Sequence, residues 1–388
     1  RPPRSTLFPY TTLFRSNVVV FQITRLILVL TLLGGGYYIS RKPRNFKYYA
    51  VIIASVYSLI EGLRWGRGVD YGHYYNDIVS DLSSNYLFIT KQPELLYKFW
   101  IHTFNFIGLP FWVAFIVYSV LLITPVLLIC KLFPKSSVWI LGLFYVFTIS
   151  QSENLIRQYI ASSFLIFSYY YYLKNNTQMM LLSLIVAPFF HFSEFIVVFS
   201  FLLFVYTKRF LSKSWHLLFL VALYLFCFFL WSSSFYLDVA VWLKSNFSFL
   251  DIGYLNSADE WFTEEHSFDN SEVVNQLNLL HRFVFFLAII VICFDVQKKY
   301  SKLRPCYYLS YLAIIFKTMG GNIELYNRFH NLFLIFLPFL VGISILILRK
   351  RRTMYQYYIL LSLSLIYILY GAFYREMFSS SYAFVWDK

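Results

Sequence analysis

Charge is scarce in this sequence. Asp, Glu, Lys and Arg make up 13% of its 388 residues, while hydrophobic residues make up 59%. A soluble domain of this length needs a far larger charged surface to stay dissolved, so that class is excluded. Cysteine is scarce as well: Cys130, Cys227, Cys293 and Cys306 all lie within or beside apolar runs. None is placed to staple an exported loop, and they read as small core residues, neither disulfides nor ligands. Also missing are a Gly-rich phosphate loop, a Cys/His metal cluster and an internal repeat of fixed period. No cofactor, no metal and no nucleic-acid partner are therefore expected.

What remains is apolar sequence in runs of membrane-crossing length. Leu109–Cys130, Trp215–Tyr236, Phe329–Leu348 and Tyr357–Phe373 each come close to the ~20 residues a helix needs to cross hydrocarbon. Apolar spans are expected near 18–39, 48–63, 110–130, 137–151, 155–173, 177–190, 192–207, 214–236, 278–296, 305–320, 328–348 and 356–373. The fold class is thus an all-α polytopic membrane protein of about twelve transmembrane helices. Residues 17–388 form one helical domain with outer loops at 64–109 and 237–277. Thr6–Ser16 reads like a translated sequencing adapter, so residues 1–16 are set aside from fold reasoning.

The loops divide by charge. Those after the odd-numbered spans carry Arg41, Lys42 and Arg44, Lys131 to Lys135, Lys174, Lys208 to Lys213, Lys298 to Arg304 and Arg349 to Arg352, with a single acid, Asp295. Retained loops carry the Lys/Arg excess, which makes this side cytoplasmic and places both termini outside. Thr177–Thr207 is too long for one crossing and short for two. A break near Pro188–Glu194 keeps the parity of the later loops, and proline ends a helix naturally. His191 and Glu194 then sit at membrane depth, three apart and on one helical face, where ionisable groups usually face a cavity. The 44 Phe and 34 Tyr are read as bilayer packing and interfacial anchoring before sugar stacking.

Polar groups gather on the outer side. Arg64-Trp65-Gly66-Arg67-Gly68-Val69-Asp70-Tyr71 leaves the second span there, its glycines allowing a tight backbone path. Two arginines beside an acid suit an anionic, hydroxyl-rich ligand, since guanidinium forks grip phosphate and carboxylates accept from hydroxyls. The alternative is an interfacial loop in which Arg64 and Arg67 pair with Glu61 or Asp70. Arg157 with Gln158, Arg282 and Arg328 stand at outer helix starts, where a cation opposes the macrodipole. A bound diphosphate offsets that cost; so would ion pairs with Glu153, Glu324 or the acids of 259–272. His191 reads either as a general base or as half of a buried pair with Glu194.

Taken in order, these motifs resemble the EpsG family of exopolysaccharide polymerases, relatives in role of the Wzy O-antigen polymerases. The family's R-x-G-x-G-x-D-Y signature is matched by Arg64, Gly66, Gly68, Asp70 and Tyr71; Arg157-Gln158, Phe190-His191, Arg328 and the closing Ser381-Tyr382-Ala383-Phe384 match its later elements. Arg67 is an addition inside the signature, and Ser381 replaces a usual proline. The resemblance implies polymerisation of undecaprenyl-diphosphate-linked oligosaccharide units on the outer face of the bacterial cytoplasmic membrane. Asp70 or His191 would act as base, Arg64, Tyr71, Arg157, Gln158 and Arg328 would bind substrate, and a GT-C-like bundle would hold them; Arg67 and Arg282 are added as substrate-binding by residue type and place in the chain, since no family role carries over to Arg67. The implied partners are the lipid-linked unit, the bilayer, a chain-length regulator and a flippase. A transporter or flippase of the same lipid-linked oligosaccharide is the alternative.

Overall fold

In the computed structural model, residues 18–66, 70–79, 94–207, 214–229, 276–320, 324–351, 353–375 and 383–384 are described. Arg67, the adapter-like residues 1–16, residues 208–213 and nearly all of the loop at 237–277 lie outside them. The described residues are almost wholly helical, and each of the twelve expected segments contains a helix. Among the described residues, four helices are long and apolar enough to cross a membrane, or five if the bent pair Tyr326–Leu334 and Leu337–Arg351 is one span. That makes an all-α membrane protein; helix length does not establish twelve crossings, because Thr177–Phe190, Glu194–Tyr206 and Trp215–Phe229 are short.

The chain forms two compact units, one of residues 1–198 with 364–388 and one of 199–363. The first is built on α1 (Val18–Arg41), α2 (Phe46–Gly62), α5 (Phe111–Leu132), α6 (Ser137–Asn154), α7 (Ile156–Leu173) and α8 (Thr177–Phe190). The short helices α3 (Tyr71–Val79) and α4 (Leu95–Ile107) belong to it as well. A two-residue ladder belongs to it too: β1 (Arg64–Trp65) pairs antiparallel with β2 (Ala383–Phe384), Arg64 opposite Phe384 and Trp65 opposite Ala383. The start of the glycine motif and the closing Ala383-Phe384 thus meet through the backbone.

Local sequence explains the element ends. Gly108, at φ 70°, takes the left-handed position that stops α4, and the Leu109 amide reaches back to the Phe104 carbonyl at 3.1 Å. Pro110 then precedes α5, where a missing N–H costs nothing. Between α7 and α8 the chain turns through Asn175, also left-handed, and the Asn176 side chain caps the Met179 amide at 3.1 Å. Pro188 lies near the end of α8; His191 is extended, and α9 (Glu194–Tyr206) begins three residues later. The break near Pro188–Glu194 is therefore present.

One close approach fixes the helix spacing beside the site. A Cβ built on Gly62 meets Cγ1 of Ile116 at 2.2 Å and its backbone N and Cα at 2.8 Å. Side chains can rotate away but the α5 backbone cannot. Gly62→Ala is expected to destabilise the protein by about 1–3 kcal/mol; a thermal melt in detergent measures it, and an unchanged midpoint refutes the close contact.

The second unit contains α10 (Ser214–Phe229), α11 (Gln276–Lys299), α12 (Arg304–Gly320), α13 (Glu324–Leu334), α14 (Leu337–Arg351) and most of α15 (Met354–Tyr370). Buried tyrosine hydroxyls donate to backbone carbonyls of neighbouring helices: Tyr311 to Leu220 at 2.9 Å and Tyr307 to Ile290 at 2.9 Å. Pro338 has no N–H for the preceding turn, and α13 and α14 meet at 45°. The Cys306 thiol donates to the Phe336 carbonyl at that break, 3.0 Å away. All four cysteines are free and buried, as their place in apolar runs led one to expect.

Candidate functional site

In the first unit, three distant segments meet at one carboxylate. Glu94 precedes α4, Arg157 is the second residue of α7, and His191 follows α8. Because α7 and α8 form a tight antiparallel hairpin, the start of one and the end of the other lie at the same end. Glu94 docks there with one oxygen for each partner. Oε2 accepts from Nη1 of Arg157 at 2.6 Å, and Oε1 faces Nδ1 of His191 at 2.8 Å. Phe190, next to the histidine, stacks on Phe164 at 5.3 Å and meets Trp100 of α4 edge-on at 6.2 Å, which holds the segment in place.

Aromatic rings complete the setting. The Arg157 guanidinium lies over Tyr74 of α3 at 5.8 Å and over Tyr97 of α4 at 5.5 Å. Burial pushes the Glu94 carboxyl up, but the His191 hydrogen bond and the Arg157 charge outweigh it and hold the group below its ordinary value. A carboxylate only accepts, so His191 carries a proton on Nδ1, and in the neutral imidazole the lone pair is left on Nε2. Side-chain exposures of 28% for Arg157 and 18% for His191, against 8% for Glu94, leave the cation and the imidazole reachable from outside. A carboxylate-oriented imidazole is a proton acceptor with a fixed direction.

The same unit holds a buried ionic cluster. Arg25 of α1 donates to Glu61 at 3.1 Å and also to Glu153, while Arg64 donates to the other Glu61 oxygen at 3.1 Å. Arg64 further donates to the Glu61 carbonyl at 2.8 Å and the Glu153 carbonyl at 3.3 Å. Its guanidinium lies 5.4 Å from the Phe115 ring, and Tyr71 stacks on the same ring at 5.4 Å while donating to the Arg64 carbonyl at 3.2 Å. Both arginines have no solvent exposure.

The sequence expectations sort accordingly. Arg157 and His191 come together, through Glu94. Arg64 does not join them: it is buried and takes the alternative reading, an ion pair with Glu61. Tyr71 is buried against it, and Gln158 is buried in α7. The expected pairing of His191 with Glu194 is not formed; the chain is extended at His191, and Glu194 accepts instead from Ser162 at 3.0 Å. Asp70 is half-buried at the start of α3, its carbonyl accepting from the Tyr74 amide at 3.2 Å. Among the described residues its carboxylate has no hydrogen-bond partner, and it lies in electrostatic range of the Tyr74 hydroxyl. Arg67 is outside the described residues, and Arg282 and Arg328 belong to the second unit.

Glu94 is the residue that sequence reasoning missed. It stands 63 positions from Arg157 and 97 from His191, and as one of several acids in the 64–109 segment it carries no spacing signal. Tyr97, one turn further on, was missed with it.

A multi-helix membrane protein with a buried carboxylate orienting a histidine beside an arginine is the class these features define. The EpsG family model matches residues 47–384, and the chain belongs to that family. No curated protein and no solved structure matches it. Family membership points in general terms to a polysaccharide-polymerase role in a membrane.

Proposed function

We propose that the protein is an integral-membrane glycosyltransferase that joins undecaprenyl-diphosphate-linked oligosaccharide units into polysaccharide on the outer face of the bacterial cytoplasmic membrane. The observation that carries this reading is the Glu94-oriented imidazole of His191 beside Arg157. In the reaction, Nε2 of His191 takes the proton of a sugar hydroxyl on one unit. That oxygen attacks the anomeric carbon of the growing chain, and the bond from this carbon to the diphosphate oxygen breaks, the diphosphate leaving with the electron pair. Arg157 stabilises charge developing at the reacting end, because a fixed cation in a water-poor site acts strongly on a transition state. Asp70, in electrostatic range of Tyr74, orients sugar hydroxyls; Arg67, by residue type alone, is a further cation for the substrate. Arg64, Tyr71 and Gln158 act as buried supporting residues. A flippase and a chain-length regulator are the working partners.

The test is extension of a purified lipid-linked unit by the full chain in liposomes. His191→Ala is expected to slow chain growth by about 10²–10⁴-fold, the usual contribution of a positioned base. Growth at the unaltered rate overturns the assignment. Movement of the lipid headgroup across the bilayer without growth identifies a flippase instead, the reading that the bent pair α13–α14 favours.

A further inference from the structure

For a segment in water, the helix that delivers Glu94 is turned inside out. Leu95, Phe99 and Phe106 of α4 are spaced four and seven apart, which puts them on one stripe. That stripe faces outward: Phe99 is 63% exposed and Phe106 84%, and Leu95 is exposed beside them. Lys98 is the sole Asp, Glu, Lys or Arg residue within α4, and it is turned inward with 6% exposure. A helix on an aqueous surface does the reverse, burying Phe and exposing Lys. The Thr103 hydroxyl, on the same helix, donates to the Phe99 carbonyl at 2.7 Å and so needs no water. His102, half-buried, keeps its ring 6.5 Å from that of Phe106.

The apolar surface runs on past the helix end. Phe106, Ile107, Gly108, Leu109 and Pro110 are all exposed, and none carries a charge. Pro110 leads directly into α5, which is long and apolar enough to cross a membrane, so this tip stands at a membrane boundary. Apolar side chains exposed singly are ordinary, but a contiguous apolar face marks a partner or a membrane. Continuity decides between them: a face that joins the end of a membrane-crossing helix meets the same hydrocarbon as that helix. The opposite side of α4 belongs to the functional site. Glu94 at its amino end holds Arg157 and His191, Tyr97 lies 5.5 Å from the Arg157 guanidinium, and Trp100 meets Phe190 edge-on. One short helix therefore has the site on one side and hydrocarbon on the other, and it cannot shift at one without shifting at the other.

We propose that α4 is an interfacial helix, its Leu95, Phe99 and Phe106 stripe and the tip through Pro110 seated in bilayer hydrocarbon, and that this seating holds Glu94 against Arg157 and His191. Part of the segment expected as an outer loop at 64–109 is then embedded in lipid. The membrane contact rests on the geometry of α4; only its effect on chain growth rests on the polymerase reading.

Spin labels test the contact on the full chain in nanodiscs of phosphatidylcholine, attached through Phe99→Cys or Phe106→Cys. The four native cysteines are buried, and Lys42→Cys, in the exposed charged turn between α1 and α2, gives the aqueous reference. Relative to a water-soluble nickel chelate, oxygen should collide several-fold more readily with the labels at 99 and 106 than with the label at 42. Labels at 99 and 106 that meet the chelate as readily as the reference does overturn the proposal. So does spin–spin broadening at 106 between copies, which means that a second copy covers the face. Chain growth reads the coupling. Phe99→Asp with Phe106→Asp is expected to slow it about 10-fold, while Phe99→Leu with Phe106→Leu keeps the parental rate. On a Glu94→Gln background the two Asp changes should cost little more, because the contact they disturb is already altered. Fully additive losses overturn the coupling. Labels in lipid on a chain that never extends lipid-linked units keep the interfacial helix and remove the polymerase assignment; extension with the labels in water does the opposite.

Discussion

Glu94→Gln is expected to reduce chain growth by about 10²–10⁴-fold while the protein still folds. The substitution is nearly isosteric, yet it alters both partners at once. A carboxamide offers one acceptor oxygen where the carboxylate offers two, so Arg157 and His191 compete for it. Should the amide nitrogen face the imidazole, Nδ1 must become the acceptor and the proton moves to Nε2, which ends its service as a base. The loss belongs in the rate of the chemical step, with substrate affinity less affected. Glu94→Asp, which keeps the charge, should recover part of the rate. Equal polymer length and rate in Glu94→Gln and the parent would sink the role given to His191.

The same residue sets a pH dependence of stability. The Glu94 carboxyl is held below its ordinary value in the folded protein, so ionisation favours the native state. Its contribution is fully present above the unfolded carboxylate value of about 4.3 and is lost as pH falls through the lower folded value. The melting difference between parent and Glu94→Gln should therefore hold steady down to about pH 5 and shrink below about pH 4. From the hydrogen bonds removed, the plateau is expected at about 1.5–3 kcal/mol. A difference that grows on acidification contradicts the pairing.

Much of this architecture was legible in the residues. Apolar runs gave the helices nearly to their ends, because a membrane-facing helix must be continuous in hydrocarbon. Pro188 marked the break before α9, and Arg157 and His191 stood out as polar groups out of place. What could not be read was which polar groups pair. His191 and Glu194 looked coupled because a spacing of three implies one face only while the helix continues. The extended backbone at His191 sends the two side chains to Glu94 and Ser162 instead. Arg64 is the complementary case: a motif arginine beside glycines suggests a ligand, but Glu61 lies one turn earlier and the pair closes inward. Long-range pairing of this kind leaves no periodic trace in a sequence.

Arg25→Met is the substitution expected to cost most in stability, about 3–5 kcal/mol, as when one member of a buried ion pair is removed. Arg25 is the cation shared by Glu61 of α2 and Glu153 of α6, and it has no exposure to solvent. With Arg64 it makes two positive charges against two negative ones, a balance that lets four ionised groups sit among apolar helices. Losing Arg25 removes the cation that the Glu153 carboxylate contacts and leaves the Glu61 carboxylate with Arg64. Arg25→Met with Glu153→Gln restores one charge of each sign and should melt higher than Arg25→Met alone, although it carries more changes. The consequence reaches the functional site, since Glu153 and Arg157 flank the non-helical Leu155 where α6 gives way to α7. Chain growth should therefore fall in Arg25→Met and recover in part with the second substitution. A single variant as stable as the parent, or a double variant no better than the single, would mean that the buried charges are not coupled and that Arg157 is positioned without them.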